Sequence, residues 1–539
     1  MTTGFQALDE PIRSRRNHWN NQLATHAQMR PDATAVRFRG TDTTWRQLHE
    51  RSLKFADALA RRGIGFGDRV LILALNYPEY LETVFGINAL GAIAVPVNFR
   101  LTPPEVAYIV SDSGAKAIVT DTVLQPLAAA VRAQSPALET CIVIGGQSAP
   151  GANDLSVPGA NDLSGDGVLG FDDLLAEDGA PHAPLDIAED TPALIMYTSG
   201  TTGSPKGAVL SYANMNSQAL TCIRALTMTQ DSVGFCTSPL FHIAGLGSLA
   251  PAFLLGCKTV LHPLGAFDAG EFLDAVEREQ ATSAFCVPAQ WQLICDHPTV
   301  RDRKLALEVL SWGAAPASDT VLRAMSDCFP NAVNVAVFGQ TEMSPITCVL
   351  EGKDALRKLG SVGTPIPTIQ TRIVDDEMND VAPGEIGEIV YRGPTLMQGY
   401  WNKPEATAEA FAGGWFHSGD LVRRDADGFI YVVDRKKDMI ISGGENIYCA
   451  EVENVLFAHP KIREAAVIGR AHEKWGEVPV AVVALTSADD TLTLAELTEF
   501  LNENLARYKH PKDLVLVAEL PRNASGKVVK VQLRKDYSS

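Results

Sequence analysis

Short apolar runs alternate with longer stretches whose apolar residues recur at helical spacing, and this alternation limits the folds open to the chain. Arg69 to Leu75 reads as a strand, Glu79 to Leu90 as a helix and Ala92 to Val97 as a strand again. The pattern continues to about residue 435, so the fold class expected is α/β. A chain of 539 residues exceeds what one core organises, and several domains or subdomains follow. The longest apolar runs, Phe85 to Phe99 and Ile243 to Cys257, are shorter than the roughly 20 residues that span a bilayer, and they read as core. Residues 150–165 hold a tandem duplication, PGANDLSV then PGANDLSG. Its small, turn-forming residues cannot bury enough surface to order themselves, so a mobile surface loop without chemistry is expected there. Two short copies do not make a solenoid.

Tyr197 to Gly207, YTSGTTGSPKG, carries the densest chemical signal. Gly200, Gly203 and Gly207 let backbone N–H groups approach a ligand that a Cβ would obstruct. Thr198, Ser199, Thr201, Thr202 and Ser204 add rotatable hydroxyl donors, and Lys206 adds a mobile cation. Together they suit a polyanion. The Walker pattern GxxxxGK[ST] is not matched, because Pro205 stands five residues after Gly200 and Lys206 is followed by Gly207. Ala193 to Met196 and Ala208 to Leu210 read as strands, so the loop is expected to join two strands, with Ser211 placed to cap a helix. The net charge of −18 argues against non-specific binding to nucleic acid or an anionic membrane surface; an anionic ligand must be met by local Lys and Arg.

Five further clusters bear on the ligand. Ser238 to Gly245 (SPLFHIAG) sets His242 among apolar residues. Ser311 to Pro316 (SWGAAP) offers a small-residue turn, Gly313, Ala314 and Ala315, whose backbone can approach a planar base. Asn334 to Pro345 (NVAVFGQTEMSP) runs from a strand into Gly339, Gln340, Thr341 and Glu342. A carboxylate at a strand end beside a phosphate site suits Mg²⁺, which takes one or two carboxylates plus phosphate oxygens, so Glu342 is the candidate metal ligand. Phe338 offers an aromatic face at the same strand end. Asp420 in SGD can accept from two vicinal ribose hydroxyls, with Arg435 assisting. Asp434 to Glu453 (DRKKDMIISGGENIYCAEVE) combines a charged connector, a short strand and the Gly443–Gly444 turn, which fits a domain boundary. Leu520 to Lys530 (LPRNASGKVVK) is a turn that presents Lys527.

These motifs, in this order over essentially the full chain, resemble the adenylate-forming superfamily of acyl-CoA synthetases, luciferases and peptide-synthetase adenylation domains. YTSGTTG, FGQTE and DRKKDMIISGGENIY are more narrowly similar to actinobacterial fatty-acid-CoA ligases. The resemblance implies a domain over residues 1–434, of α/β subdomains plus a distorted β-barrel. A hinge at 435–437 centred on Lys437 and a small mobile α/β domain over 438–539 follow. It implies a phosphate loop of Thr198 to Gly203 with Lys206, and an adenine site of Gly313 to Ala315 and Phe338 to Gln340. Asp420 and Arg435 then hold the ribose, and Gly443 and Gly444 form the backbone that abuts the pantetheine arm of coenzyme A. Thr341, Glu342, His242 and Lys527 are the implied catalytic residues, with His242 near the acyl carboxylate and Lys527 orienting carboxylate and α-phosphate. ATP, Mg²⁺ and coenzyme A are the implied cofactors. The reaction implied has two halves: a carboxylate displaces pyrophosphate from ATP, then the CoA thiolate displaces AMP.

Phe241 to Leu249, Phe285 to Trp291 and Met343 to Ile346 are candidates for the acyl pocket, and none carries Lys or Arg. A dicarboxylate is disfavoured, since its second charge would be desolvated without a partner. Gly245, Gly247, Ser248 and Ala250 are small enough to leave a deep cavity among Leu246, Leu249 and Phe253, which points to a medium- or long-chain aliphatic acid. An aryl, 4-coumarate-like ligase and a fatty-acyl-AMP ligase that stops at the adenylate share the motifs and stay open. Nine cysteines without CxxC spacing, and no apolar run behind Arg13, Arg15 and Arg16, lead to the expectation of a cytoplasmic protein that is not exported. Cys449 stands where relatives commonly have Pro. A peripheral contact with the inner membrane face and a homodimer are left open.

Overall fold

Four sheets organise the described residues of the computed structural model, which are 17–145, 167–183, 185–198, 205–314, 317–442, 445–473, 475–487, 490–502, 505, 507–522 and 528–537. The duplicated segment at 150–165 lies outside them. The chain divides into two compact units, one of Met1–Gln370 with Arg392–Glu409, the other of Thr371–Tyr391 with Ala410–Ser539.

The first unit is α/β, as its alternation implies. Its eight-stranded sheet is centred on Arg69–Leu73 and Ile93–Pro96, which pair in parallel and are buried along almost their whole length. Parallel strands covered on both faces cannot alternate polar and apolar residues, hence the continuous apolar runs. The intervening helix Pro78–Ala89 is buried from Tyr80 onward. It crosses the helix Trp45–Arg61 so closely that a Cβ on Gly86 would lie 2.8 Å from the Ser52 carbonyl oxygen. The latter helix begins at a reciprocal cap, Thr44 accepting from the Gln47 N–H and Gln47 from the Thr44 N–H.

Pro192–Thr198 joins this sheet in parallel, beside Ile93–Pro96, and Lys206–Ser211 then returns antiparallel to it. The loop between them therefore connects two strands, and Ser211 caps the helix Tyr212–Ala225, both as expected. The short strand Gly399–Tyr400 adds to the outer edge, pairing antiparallel with Lys206–Ser211. The nine-stranded sheet is built alike. Ser283–Cys286, Val309–Gly313 and Val333–Gly339 run parallel, and Ile346–Leu350 turns back antiparallel across a bulge between Phe338 and Gly339. In both sheets a hairpin is appended to a parallel core, and a hairpin needs only a short connection, so its loop stands at the strand ends.

Ile386–Arg392, whose last residue falls in the first unit, pairs antiparallel with Phe416–Arg424 of the second unit, and Phe416–Arg424 with Ile430–Arg435. A five-stranded sheet follows, in which Ile462–His472 and Gly476–Leu485 form the long hairpin. Successive residues of these two strands face opposite cores. Ala465, Val467, Ala481 and Val483 pack under the helices Cys449–Phe457 and Leu494–Asn502, while Ala466, Ile468, Val480 and Val482 pack with Leu520 and Leu533. Cys449, in place of Pro, starts its helix buried and donates its thiol to the Asp438 carbonyl, 3.0 Å away. No described helix is long and apolar enough to cross a membrane.

Candidate active site

Thr198 and Lys206 are the last paired residues on either side of the glycine-rich loop. Of the loop residues, Ser199, Gly200, Thr201, Thr202 and Gly203 lie outside the described residues, as do Ala315, Gly443, Gly444 and Lys527. The described stem is connected to Glu342. The Thr198 hydroxyl lies 3.3 Å from Glu342 Oε1 and 3.5 Å from the Lys206 carbonyl oxygen, and its single hydrogen has its shorter path to the carboxylate. The Tyr400 hydroxyl donates to the same Oε1 over 3.2 Å. Lys206 Nζ sits 5.1 Å from the centre of the Tyr400 ring, a cation held over a π-face.

Glu342 belongs to one turn of 3₁₀ helix, Thr341–Met343, and is only 8% exposed. Its backbone is fixed on both sides. The Met397 N–H donates to the Glu342 carbonyl, and the Gln340 N–H to the Pro345 carbonyl, each over 2.8 Å. Ser344 then takes φ of 68°, which turns the chain back into Ile346–Leu350. Burial pushes the Tyr400 phenol well above its ordinary range, with the Glu342 carboxylate adding to the effect, so Tyr400 stays a donor. With both hydroxyls on Oε1, Oε2 is the oxygen that no described residue engages, and it is the one offered to a cation. One buried carboxylate beside a phosphate-type loop fits Mg²⁺.

The adenine-site candidates stand on neighbouring strand ends. Gly313 pairs in parallel with Val337, one residue before Phe338. A Cβ on Gly313 would lie 2.2 Å from the Val337 carbonyl oxygen, so only glycine allows the two strands this approach. Ala314 follows with φ of 64°. Phe338 is half-buried, and its carbonyl accepts from the Thr347 hydroxyl. The C-terminal ends of parallel strands are the usual ligand crevice of open α/β sheets. Gly339 is tighter still, since its Cβ would lie 1.8 Å from the Pro345 carbonyl oxygen. Gly339→Ala should therefore destabilise the protein by about 2 to 3 kcal/mol through overpacking, read as a fall in the denaturation midpoint. A wild-type midpoint would show that the turn yields.

His242 begins the helix Ile243–Leu255, its Nδ1 accepting from the Ala244 N–H over 3.1 Å. Asn76, buried at the end of the central strand, fixes the turn ahead of it, donating to the Ser238 carbonyl and accepting from the Leu240 N–H. Gly247 of the helix packs against the ring of Pro345, its Cβ position 3.0 Å from Cδ. The helix of His242 thus abuts the turn that carries Glu342.

Part of the space that the small residues of this helix were expected to leave is taken up by close packing. Gly245 and Gly247 are spent on close packing, a Cβ on Gly245 lying 2.3 Å from the Pro239 carbonyl oxygen. Phe253 is locked edge-on against Phe85 and Trp45, with ring centres 5.0 and 6.1 Å apart. Ala250 borders a cavity of about 10 Å³ with Trp19 and Met215, room for one water-sized sphere. Trp291, another pocket candidate, is fully buried and donates to the Ser311 carbonyl over 3.0 Å. Small side chains signal a cavity only if nothing else moves in, and here backbone does.

In the second unit Asp420 and Arg435 face each other across paired strands, Arg435 Nε lying 2.6 Å from Asp420 Oδ1. Asp420 is buried, and its N–H donates to the Ser418 hydroxyl. Beside them, burial lowers the Lys437 ammonium below its ordinary value, with Arg435 and Arg534 adding to it against Asp438 and Asp420.

Sequence reasoning missed Tyr400 and Asn76. Tyr400 lies far from the loop in the chain, within MQGYWNKP, and only the pairing of Gly399–Tyr400 with Lys206–Ser211 brings it there. No local pattern marks that pairing.

The sequence pattern of the AMP-binding enzymes matches residues 23–401, and that of the AMP-binding enzyme C-terminal domain matches residues 451–527. The chain is 39% identical to a feruloyl-CoA synthase of an Amycolatopsis species, over 95% of this chain and 97% of that one. It is 38% identical to the indoleacetate–CoA ligase of Aromatoleum aromaticum, over 95% and 96%. It is 33% identical to the long-chain-fatty-acid–CoA ligase FadD13 of Mycobacterium tuberculosis, over 92% and 93%. Among solved structures, o-succinylbenzoate CoA synthetase (MenE) of Bacillus subtilis in complex with ATP and magnesium superposes with a TM-score of 0.82 at 30% identity, covering 95% of this chain and 99% of that one.

Proposed function

The chain belongs to the AMP-binding enzyme family and is an AMP-forming acyl-CoA ligase that uses ATP, Mg²⁺ and coenzyme A, and within that activity we propose that its acid is a compact aromatic one, of the aryl or arylalkenoic kind. The observation that carries the choice is the close packing of Gly245, Gly247 and Phe253 on the helix Ile243–Leu255. A fatty chain gains about 0.8 kcal/mol per methylene only where an apolar cavity receives it. With Gly245 and Gly247 closed by backbone and Pro345, and Phe253 wedged between Phe85 and Trp45, that reward is reduced along this helix. A flat ring needs width rather than depth. The feruloyl and indoleacetate relatives point the same way, and the FadD13 relative keeps the aliphatic acid as the second candidate.

In this mechanism Thr198, the loop that follows it and Lys206 hold the phosphates of ATP, while the strand ends at Gly313–Ala314 and Phe338–Gly339 flank the adenine. Glu342 would hold Mg²⁺, which when bound neutralises phosphate charge as pyrophosphate leaves. The Thr198 and Tyr400 hydroxyls keep the Glu342 carboxylate oriented. His242 lines the side from which the acid carboxylate approaches. Asp420 accepts from the ribose hydroxyls with Arg435 beside it, Lys437 serves as the hinge residue at 435–437, and residues 438–539 carry Lys527 and the Gly443–Gly444 turn for coenzyme A.

Pyrophosphate release tests the substrate class across ferulate, cinnamate, indoleacetate and benzoate against octanoate and palmitate, with and without coenzyme A. The best aromatic acid should exceed palmitate in kcat/KM by at least about tenfold, and AMP release should require coenzyme A. Preference for octanoate or palmitate would overturn the aromatic assignment, and adenylate formation without any thioester would leave only the first half-reaction.

A further inference from the structure

Glu342 is oriented by two hydroxyls from segments far apart in the chain, and both segments are tied to one other carboxylate, Asp112, near the end of the helix Pro103–Ser113. Its side chain is only 6% exposed. Asp112 Oδ2 accepts from the Tyr197 hydroxyl over 2.8 Å, and Tyr197 immediately precedes Thr198. Asp112 Oδ1 receives Lys403 Nζ over 2.5 Å, and its carbonyl accepts from Asn402 Nδ2 over 3.1 Å, two residues just beyond Tyr400. On the same helix the Tyr108 hydroxyl lies 3.3 Å from the Pro205 carbonyl, on the far stem of the loop, and 3.4 Å from Asp112 Oδ1.

We propose that Asp112 is a positioning residue for the nucleotide site, clamping Tyr197 and Lys403 so that Thr198 and Tyr400 hold Glu342 in its metal-binding orientation. The inference rests on the ligase reading above. A carboxylate this buried needs partners to offset its desolvation, but core packing alone would accept partners anywhere around the helix end. Instead, Tyr197, Asn402 and Lys403 flank the two Glu342 donors, and Tyr108 reaches the far stem of the loop. Groups that orient a metal ligand rather than touch the metal typically change affinity by about 10- to 100-fold when removed.

Calorimetric titration with ATP, with and without Mg²⁺ and with no acid present, measures the role without turnover. Asp112→Asn keeps the shape but turns an N–H₂ toward Lys403 or Tyr197, and Tyr197→Phe deletes one hydroxyl while keeping the ring. Asp112→Asn should weaken Mg-ATP binding about tenfold, and Tyr197→Phe in the same direction by less. Binding of metal-free ATP and the KM for coenzyme A should change by less than about twofold, a split that general loosening of the fold would not produce. Tyr197→Phe keeps the test decisive if Asp112→Asn fails to fold. Mg-ATP affinity at the wild-type level in both variants, or equal losses with and without Mg²⁺, would overturn the inference. Wild-type protein that binds no ATP would overturn the ligase reading and this inference with it.

Discussion

Glu342→Gln should lower the rate of pyrophosphate release by about 10² to 10³-fold while leaving the fold intact. The substitution is nearly isosteric. The amide oxygen can still accept from Thr198 and Tyr400, which lie 3.3 and 3.2 Å from Oε1, so what is lost is the negative charge. Glu342 is buried against hydroxyl donors, and its substitution breaks no ion pair among the described residues, so the denaturation midpoint should stay unchanged or rise. Steady-state rates over a magnesium titration, with a thermal melt of the same preparation, check the effect. A loss smaller than about tenfold would remove Glu342 from its assigned role.

Lys527→Ala should abolish acyl-adenylate formation, a loss of about 10³-fold or more, and spare thioester formation from supplied acyl-adenylate and coenzyme A. The ammonium is assigned to charge developing between carboxylate and α-phosphate, which exists only in the first half-reaction. Gly444→Leu should do the reverse if, as proposed above, Gly444 abuts the pantetheine arm, where a side chain would obstruct that arm and not the nucleotide. Separate assays of the two half-reactions read the split. Equal loss of both steps in either variant would refute the division of labour between these residues.

The framework of the candidate site was legible in part because its signals are local. A loop dense in Gly, Ser and Thr with one Lys, lying between two strand-like runs, announces itself within eleven residues, and the hairpin that carries it forms as the flanking runs imply. The same holds for Asp420 and Arg435, whose strands pair and set the two side chains together. The small residues offered for the acyl pocket are ambiguous for a physical reason. Gly245 and Gly247 report that something comes close, and the one-dimensional pattern does not say whether it is a ligand or backbone.

From its sequence alone, this protein's α/β class, its strand-flanked glycine-rich loop and its motif order over the full chain were determined, since each follows from periodicity or from residue types a few positions apart. Which hydroxyls hold Glu342, which segments Asp112 ties together, and what packs against Gly245 and Gly247 were decided by tertiary structure alone. Those features depend on edge-strand pairing and helix packing between segments as far as 291 residues apart, as in the Lys403 to Asp112 contact, and local sequence carries no energy term for contacts at that separation.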